Sequence, residues 1–244
     1  MESTYPTRAI ILNRRDWREA DRLVSVYTPD HGRLDLVVRG ARKLGSKLAA
    51  HLEPLSLSRL LVVKGKGRDY VGAALMEKPY LGIKQDLNKL YFSGKALSLF
   101  CSLVREEESD PALFSWLEKW LDNLDEAGGT KELPKEDGRF RLALFSWRLL
   151  VLSGYGPILD RCAVCGRIPE AGKNRFDLSR GGLVCPECAS KEPLNGSVLP
   201  ISDNLIKLLR VVGGEPNAKP LKFPLKLIRE WENLNSRLVC WQQS

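Results

Sequence analysis

Two pairs of cysteines constrain this chain more than any other feature in it. Cys162-Ala163-Val164-Cys165 is followed, after nineteen residues, by Cys185-Pro186-Glu187-Cys188. A tight turn presents two thiols spaced i and i+3 to one ion, and a connection of this length lets the two turns fold together into a tetrahedral four-sulfur site. Gly166 behind the first pair and Gly181-Gly182 ahead of the second supply the backbone freedom such turns need. Free core thiols, a redox pair and an iron–sulfur centre are the competing readings, and the spacing favours one Zn2+ held by Cys162, Cys165, Cys185 and Cys188. Four thiolates leave no open coordination position, so such an ion holds the fold and does not activate water. Arg161, Arg167, Arg175 and Arg180 lie close enough in sequence to offset the negative charge of the centre. Cys101 and Cys240 fall on helical segments and read as buried apolar residues.

The chain carries six cysteines, and a secreted protein would make three disulfides of them. Met1-Glu2-Ser3-Thr4-Tyr5-Pro6 has neither the basic start nor the apolar run of a secretory signal, which leads to the expectation of a cytoplasmic protein. No stretch approaches the roughly 18 uninterrupted apolar residues of a spanning helix. Over 244 residues the formal net charge is +8, favouring a polyanionic partner such as nucleic acid. It divides as 15 basic and 9 acidic side chains in residues 1–79, 10 and 13 in 80–160, and 13 and 8 in 161–244. A chain basic at both ends and acidic in the middle reads as separate modules.

The first module reads as five strands, at 8–13, 22–28, 33–39, 55–64 and 69–76, each rich in Val, Ile, Leu or Tyr with partial period-two alternation. Thr28-Pro29-Asp30-His31-Gly32 and Lys64-Gly65-Lys66-Gly67-Arg68 read as hairpin turns between them. Five short strands in so little chain suit a small Greek-key barrel of the OB-fold kind. Beyond Gly82 the apolar spacing changes to three and four, predicting helices at 86–106, 111–124, 139–153, 202–212 and 224–241. Asp110 reads as an N-cap with Pro111 in the first turn, and 126–138 reads as a loop. The expected class is α+β: an OB-fold barrel over 1–79, a helical domain begun in 80–160 and completed in 193–244, and a zinc ribbon inserted at 161–192.

No phosphate loop, nucleophile elbow or metalloprotease helix is present in the sequence, and His31 and His51 read as solvated surface residues. Glu106-Glu107-Glu108 with Asp110 reads as a solvated cluster at a helix end, so a binding protein is favoured over an enzyme. Basic residues gather at Arg14, Arg15, Arg18 and Arg22 around the first connection, and at Arg39, Arg42, Lys43 and Lys47 after the third strand. Both groups lie at strand ends and loops, where OB barrels bind nucleic-acid strands, and Trp17, Tyr27 and Tyr70 offer stacking faces.

Glu19-Ala20-Asp21-Arg22-Leu23-Val24, Tyr27-Thr28-Pro29-Asp30-His31-Gly32, Arg39-Gly40-Ala41-Arg42-Lys43, Ser46-Lys47-Leu48 and Leu52-Glu53-Pro54 together resemble the N-terminal barrel of the bacterial RecO recombination mediators. Phe140-Arg141-Leu142, Gly154-Tyr155-Gly156-Pro157, Leu159-Asp160-Arg161-Cys162 and Cys165-Gly166 resemble the junction between helices and zinc site in the same family. The resemblance implies a DNA repair and recombination accessory protein that binds single- and double-stranded DNA and anneals complementary strands. It also implies help in loading a recombinase, with RecR and the acidic, apolar C-terminal tail of single-stranded DNA-binding protein as partners. That tail docks on the helical domain in relatives, where Arg141 and Arg148 are candidate contacts. A zinc-ribbon enzyme acting on nucleic acid, such as a nuclease, is the main alternative, and a sequence-specific regulator reading through the ribbon is a third.

Overall fold

Residues 4–16 alternate poorly because both faces of that strand are covered. The computed structural model describes residues 3–129, 131–172, 174–191, 197–214 and 223–242. Strand β1 (Thr4–Asp16) pairs antiparallel with β4 (Ser56–Val63) along its first half and with β2 (Arg22–Thr28) along its second. A register shift between Ile11 and Asn13 marks the bulge where it passes from one neighbour to the other. β2 pairs with β3 (Gly32–Val38), β3 meets β5 (Tyr70–Lys78) in parallel at Val37 and Tyr70, and β5 pairs with β4, so the ring β1-β2-β3-β5-β4 closes on itself. Closure leaves no long free edge.

Inside the ring Ile11, Val24, Val26, Leu36, Val38, Leu60 and Val62 form one apolar cluster. Ile10 is paired with Tyr27 on one side and Leu57 on the other, so these three share the outer face, and all are fully buried. Two helices cover them. α2 (Leu87–Leu103) and α3 (Pro111–Asp125) bring Phe100 edge-on to the Tyr27 ring at 4.8 Å and Phe114 parallel to it at 6.3 Å. Tyr27 is therefore a core residue and not a stacking face. Burial, with Asp110 and Glu108 nearby, pushes its phenol well above its ordinary range.

Capping residues set the helix starts. Asp86 accepts from the amides of Asn88 and Lys89, and Asp110 accepts from Leu113 ahead of Pro111. Burial alone would raise the Asp86 carboxyl, but the amides of Leu133, Lys89 and Asn88 hold it below its usual value. One turn, α1 (Leu81–Lys84), was not marked by any sequence period. The compact unit containing the barrel runs on through α3 to Pro134, beyond the change from strand to helix at 79/80.

The second unit begins at Lys135. α4 (Lys135–Leu150) starts inside the stretch read as a loop and ends in a π-helical turn, Val151–Tyr155, where Gly154 takes a φ of 83°. α4 packs on α7 (Leu225–Gln242) through Phe140 and Trp231, with Asn235 donating to the carbonyl of Ala143. α6 (Asp203–Gly214) packs on α7 as well. Between α4 and α6 lie β6 (Arg175–Asp177), β7 (Gly182–Val184) and β8 (Val198–Pro200), in the order β7-β6-β8, and α5 (Pro186–Lys191). The sequence-based boundary at 192/193 lies outside the described residues. No helix among the described residues is long and apolar enough to cross a membrane.

An ion network ties the barrel to α3. Arg8 bonds Glu77 at 3.0 Å and Glu118 at 2.9 Å, Lys78 bonds Glu118 and Asp122 at 2.9 Å, and Arg59 closes on Glu77 at 2.7 Å. Burial alone would raise both glutamates. Their cationic partners prevail, and both carboxyls lie below the ordinary glutamate value of 4.5. A depressed folded-state pKa stabilises the fold above the unfolded value, and this contribution disappears as pH falls through the folded one. Thermal melts followed by circular dichroism should therefore drop steeply below about pH 4.5. Glu118→Gln should melt lower at neutral pH and show a shallower acid limb.

Candidate nucleic-acid interface and metal centre

The four cysteines predicted as ligands converge. The sulfurs of Cys162, Cys165, Cys185 and Cys188 lie within 4.8 Å of one another. A Zn–S bond of about 2.3 Å gives a tetrahedron with edges of about 3.8 Å, and Cys165 and Cys185 stand 3.8 Å apart. The donor set and its spacing are compatible with one zinc ion.

Local backbone chemistry builds both turns. Cys162 donates its amide to the carbonyl of Arg167 and accepts from Gly166, which sits at a φ of 74° that a side chain would strain. The second pair opens α5, where Cys185 accepts from Ala189. The turns meet where the Cys185 amide donates to the Cys162 sulfur at 3.4 Å. Residues 158–163 run beside β7 through bonds from Leu183 to Ile158 and from Ala163 to Leu183. That approach admits only glycine at 182, since a Cβ there would stand 2.9 Å from Ile158.

Burial alone would raise the Cys162 thiol, but the amides of Cys165, Cys185 and Val164 pull it down to about 6. Hydrogen bonding with Cys185, then desolvation, pushes Cys188 up to about 12. The cluster thus favours the Cys162 thiolate by its own amides and disfavours ionisation of Cys188. Arg167 pairs with Glu187 at 2.9 Å, joining the two turns at the surface. Cys101 is half-buried and Cys240 exposed, so neither is the buried apolar residue that helical periodicity suggested.

At the barrel, two loops are hydrogen-bonded to each other and a third is tied to the end of β3. Arg42 donates its amide to the carbonyl of Ala20 at 3.0 Å and its guanidinium to that of Arg18 at 3.3 Å. Gly40 donates to the Asp21 carboxylate at 2.9 Å. Val37 donates to the carbonyl of Asp69, whose carboxylate accepts from Gly65. The β1–β2 loop, the segment after β3 and the β4–β5 turn therefore lie together at one end of the barrel.

The eight basic residues singled out by sequence separate into two kinds there. Arg14 pairs with Glu53, Arg15 with Asp35 at 3.6 Å, and Arg22 and Arg42 with Asp16 at 3.4 and 3.5 Å. Arg18, Arg39, Lys43 and Lys47 are exposed and have no carboxylate at ion-pair distance among the described residues. Lys64, Lys66 and Arg68 on the β4–β5 turn join this second group. They were passed over as turn residues, although Lys64-Gly65-Lys66-Gly67-Arg68 places a cation at every second position. Tyr70 is half-buried beneath the Arg39 guanidinium at 4.0 Å, and Trp17 stands exposed with Arg68 over its ring at 4.9 Å.

Both histidines are half-buried and have partners. The His31 ring packs tilted against Tyr5 at 4.2 Å, and His51 accepts the Met76 amide at Nδ1. In the acidic run, Glu106 pairs with Arg33 at 2.7 Å and Asp110 is spent as the α3 cap. In the second unit, Lys207, Leu208, Val211, Phe223, Lys226 and Leu227 line an open, largely apolar groove of about 670 Å³. Arg141 and Arg148 do not line it. They sit half-buried on α4, where burial disfavours their charged forms.

Geometry thus defines a class of protein: a closed barrel with a basic loop end, followed by a helical unit carrying a four-cysteine centre. A family model described as "Recombination protein O N terminal" matches residues 1–79, and one described as "Recombination protein O C terminal" matches residues 84–234. The chain is 36% identical to DNA repair protein RecO of Roseiflexus sp. over 215 residues, 88% of this chain and 72% of that one. It is 32% identical to DNA repair protein RecO of Dehalococcoides mccartyi over 226 residues, covering 93% and 84%. To DNA repair protein RecO of Myxococcus xanthus it is 32% identical over 185 residues, covering 75% and 72%. The chain belongs to the RecO family of DNA repair and recombination proteins.

Proposed function

We propose that the barrel is an OB-fold whose loop end binds the backbones of single- and double-stranded DNA, and that the protein anneals complementary strands and assists recombinase loading without catalysing a reaction. One observation carries this reading. Three loops gathered at one end of the barrel hold Arg18, Arg39, Lys43, Lys47, Lys64, Lys66 and Arg68 without carboxylate partners among the described residues, while Arg14, Arg15, Arg22 and Arg42 are held in ion pairs. Such a surface screens phosphates and confers affinity without reading sequence. Screening two backbones at once lowers the repulsion that opposes annealing, with no nucleotide hydrolysis required. The protein acts in the bacterial cytoplasm at the nucleoid, with RecR as a partner.

Zn2+ in a ribbon formed by Cys162, Cys165, Cys185 and Cys188 supports the second unit structurally. The groove between α6 and α7 receives the acidic, apolar C-terminal tail of single-stranded DNA-binding protein. Leu208, Val211, Phe223 and Leu227 offer apolar contact, and Lys207 and Lys226 offer charge. Glu230 at the same groove is engaged by the amide and hydroxyl of Ser202, which lessens its repulsion of an acidic ligand.

If about seven cations meet phosphates, log affinity for a single strand should fall against log salt with a slope of about −5. Replacing Arg39, Lys43 and Lys47 together by Ala should make the slope shallower by about 2. Strand annealing on DNA coated with single-stranded DNA-binding protein, with and without RecR, measures the mediator activity directly, whereas cleavage of labelled DNA with Mg2+ would favour the nuclease reading. Metal analysis should find about one zinc per chain. Cys162→Ser should lose it and lower the melting temperature of the C-terminal unit. Leu227→Asp should weaken binding of an acidic tail peptide about tenfold or more, measured by fluorescence anisotropy, because it sets a carboxylate among the apolar contacts.

A further inference from the structure

Trp17 is out of keeping with the loop that carries it. The β1–β2 loop is held by polar bonds: the Trp17 amide to the Asp21 carbonyl at 3.1 Å, Arg42 to Ala20 and Gly40 to Asp21. None of these needs an indole. Yet the residue is 39% exposed, and the Arg68 guanidinium lies over its ring at 4.9 Å from the centroid. Arg68 is exposed in turn and has no carboxylate partner among the described residues.

We propose that Trp17 is a stacking site for one unpaired nucleobase, and that Arg68 is the displaceable cover of that site. The inference rests on the reading of the barrel's loop end as a DNA surface and adds to it a residue that distinguishes strand states. A guanidinium is flat and cationic, so over an indole it occupies the place a base would take, and it is freed for a phosphate when a base arrives. Magnitudes favour the exchange. A cation over an exposed ring is worth roughly a two- to fivefold factor, whereas a base stacked on an aromatic side chain contributes roughly five- to a hundredfold. The displaced Arg68 then exchanges its ring contact for a phosphate contact, which adds to the salt dependence.

A duplex cannot use the site. Its bases already stack on each other, and their faces are presented outward only at an end or a break. Trp17 should therefore raise affinity for single strands and leave duplex affinity to the cations. Tyr70 does not serve in the same way. It is half-buried, its ring lies 4.0 Å under Arg39, and its register opposite Val37 ties it into the ring closure.

Fluorescence anisotropy of the full-length protein with an oligothymidylate, an abasic strand of the same length and a hairpin duplex, all at one salt concentration, tests this. Trp17→Ala should weaken oligothymidylate binding about tenfold and leave duplex binding unchanged. Trp17→Phe should retain most of the affinity, and the abasic strand should bind the wild type about as weakly as oligothymidylate binds Trp17→Ala. Equal loss on single strand and duplex, or no loss on either, overturns the stacking site, as does an abasic strand that binds the wild type as tightly as oligothymidylate does. The last comparison uses the unaltered protein and holds even if Trp17→Ala folds poorly. Failure of the underlying reading looks different: the wild type would then bind neither strand with a salt-dependent affinity.

Discussion

Everything in the first unit depends on β1 being shared. Its first half is hydrogen-bonded to β4 and its second to β2, with a bulge between them, and this one strand closes the ring. Closure decides which residues are core. Ile11 points into the barrel, and Ile10 points outward with Tyr27 and Leu57 beneath Phe100 and Phe114. The helices are thus part of the barrel's own burial, and the compact unit extends to Pro134 for that reason.

The same closure produces the basic loop end. β3 and β5 meet only at Val37 and Tyr70, and this short seam brings the β4–β5 turn beside loops from which it is far removed in sequence. Hydrogen bonds join the β1–β2 loop to the segment after β3 and tie the β4–β5 turn to β3, so the backbones that carry the cations are already in place for binding. Ion pairs remove Arg14, Arg15, Arg22 and Arg42 from the pool of unpaired charge and use them as struts. The Arg8–Glu118 network applies the same economy between barrel and α3.

The second unit is organised around a different constraint. Its strands are three residues each, too short to hold a sheet alone, and the two cysteine turns meet beside β7 and at the start of α5. The amide of Cys185 on the sulfur of Cys162 shows how closely the turns approach. α4, α6 and α7 supply the apolar packing, and the groove between α6 and α7 remains open to the exterior.

What could be read from the chain alone was whatever local chemistry determines. The convergence of the four cysteines was legible from spacing, the α2 and α3 starts from Asp86, Asp110 and Pro111, and the strands and turns of the barrel from β-branched runs and their Gly and Pro punctuation. Helix α1, the early start of α4 and the short strands of the second unit carried no local signal, because tertiary contacts stabilise them. Only the folded structure could decide which arginines have carboxylate partners, that Tyr27 is core while Trp17 is exposed, and that Arg68 stands over Trp17. The physical reason is range. Caps, knuckles and turns are settled within a few residues of chain, whereas burial and ion pairing depend on neighbours that ring closure brings from 40 or more residues away, as Arg8 with Glu118 and Trp17 with Arg68 demonstrate.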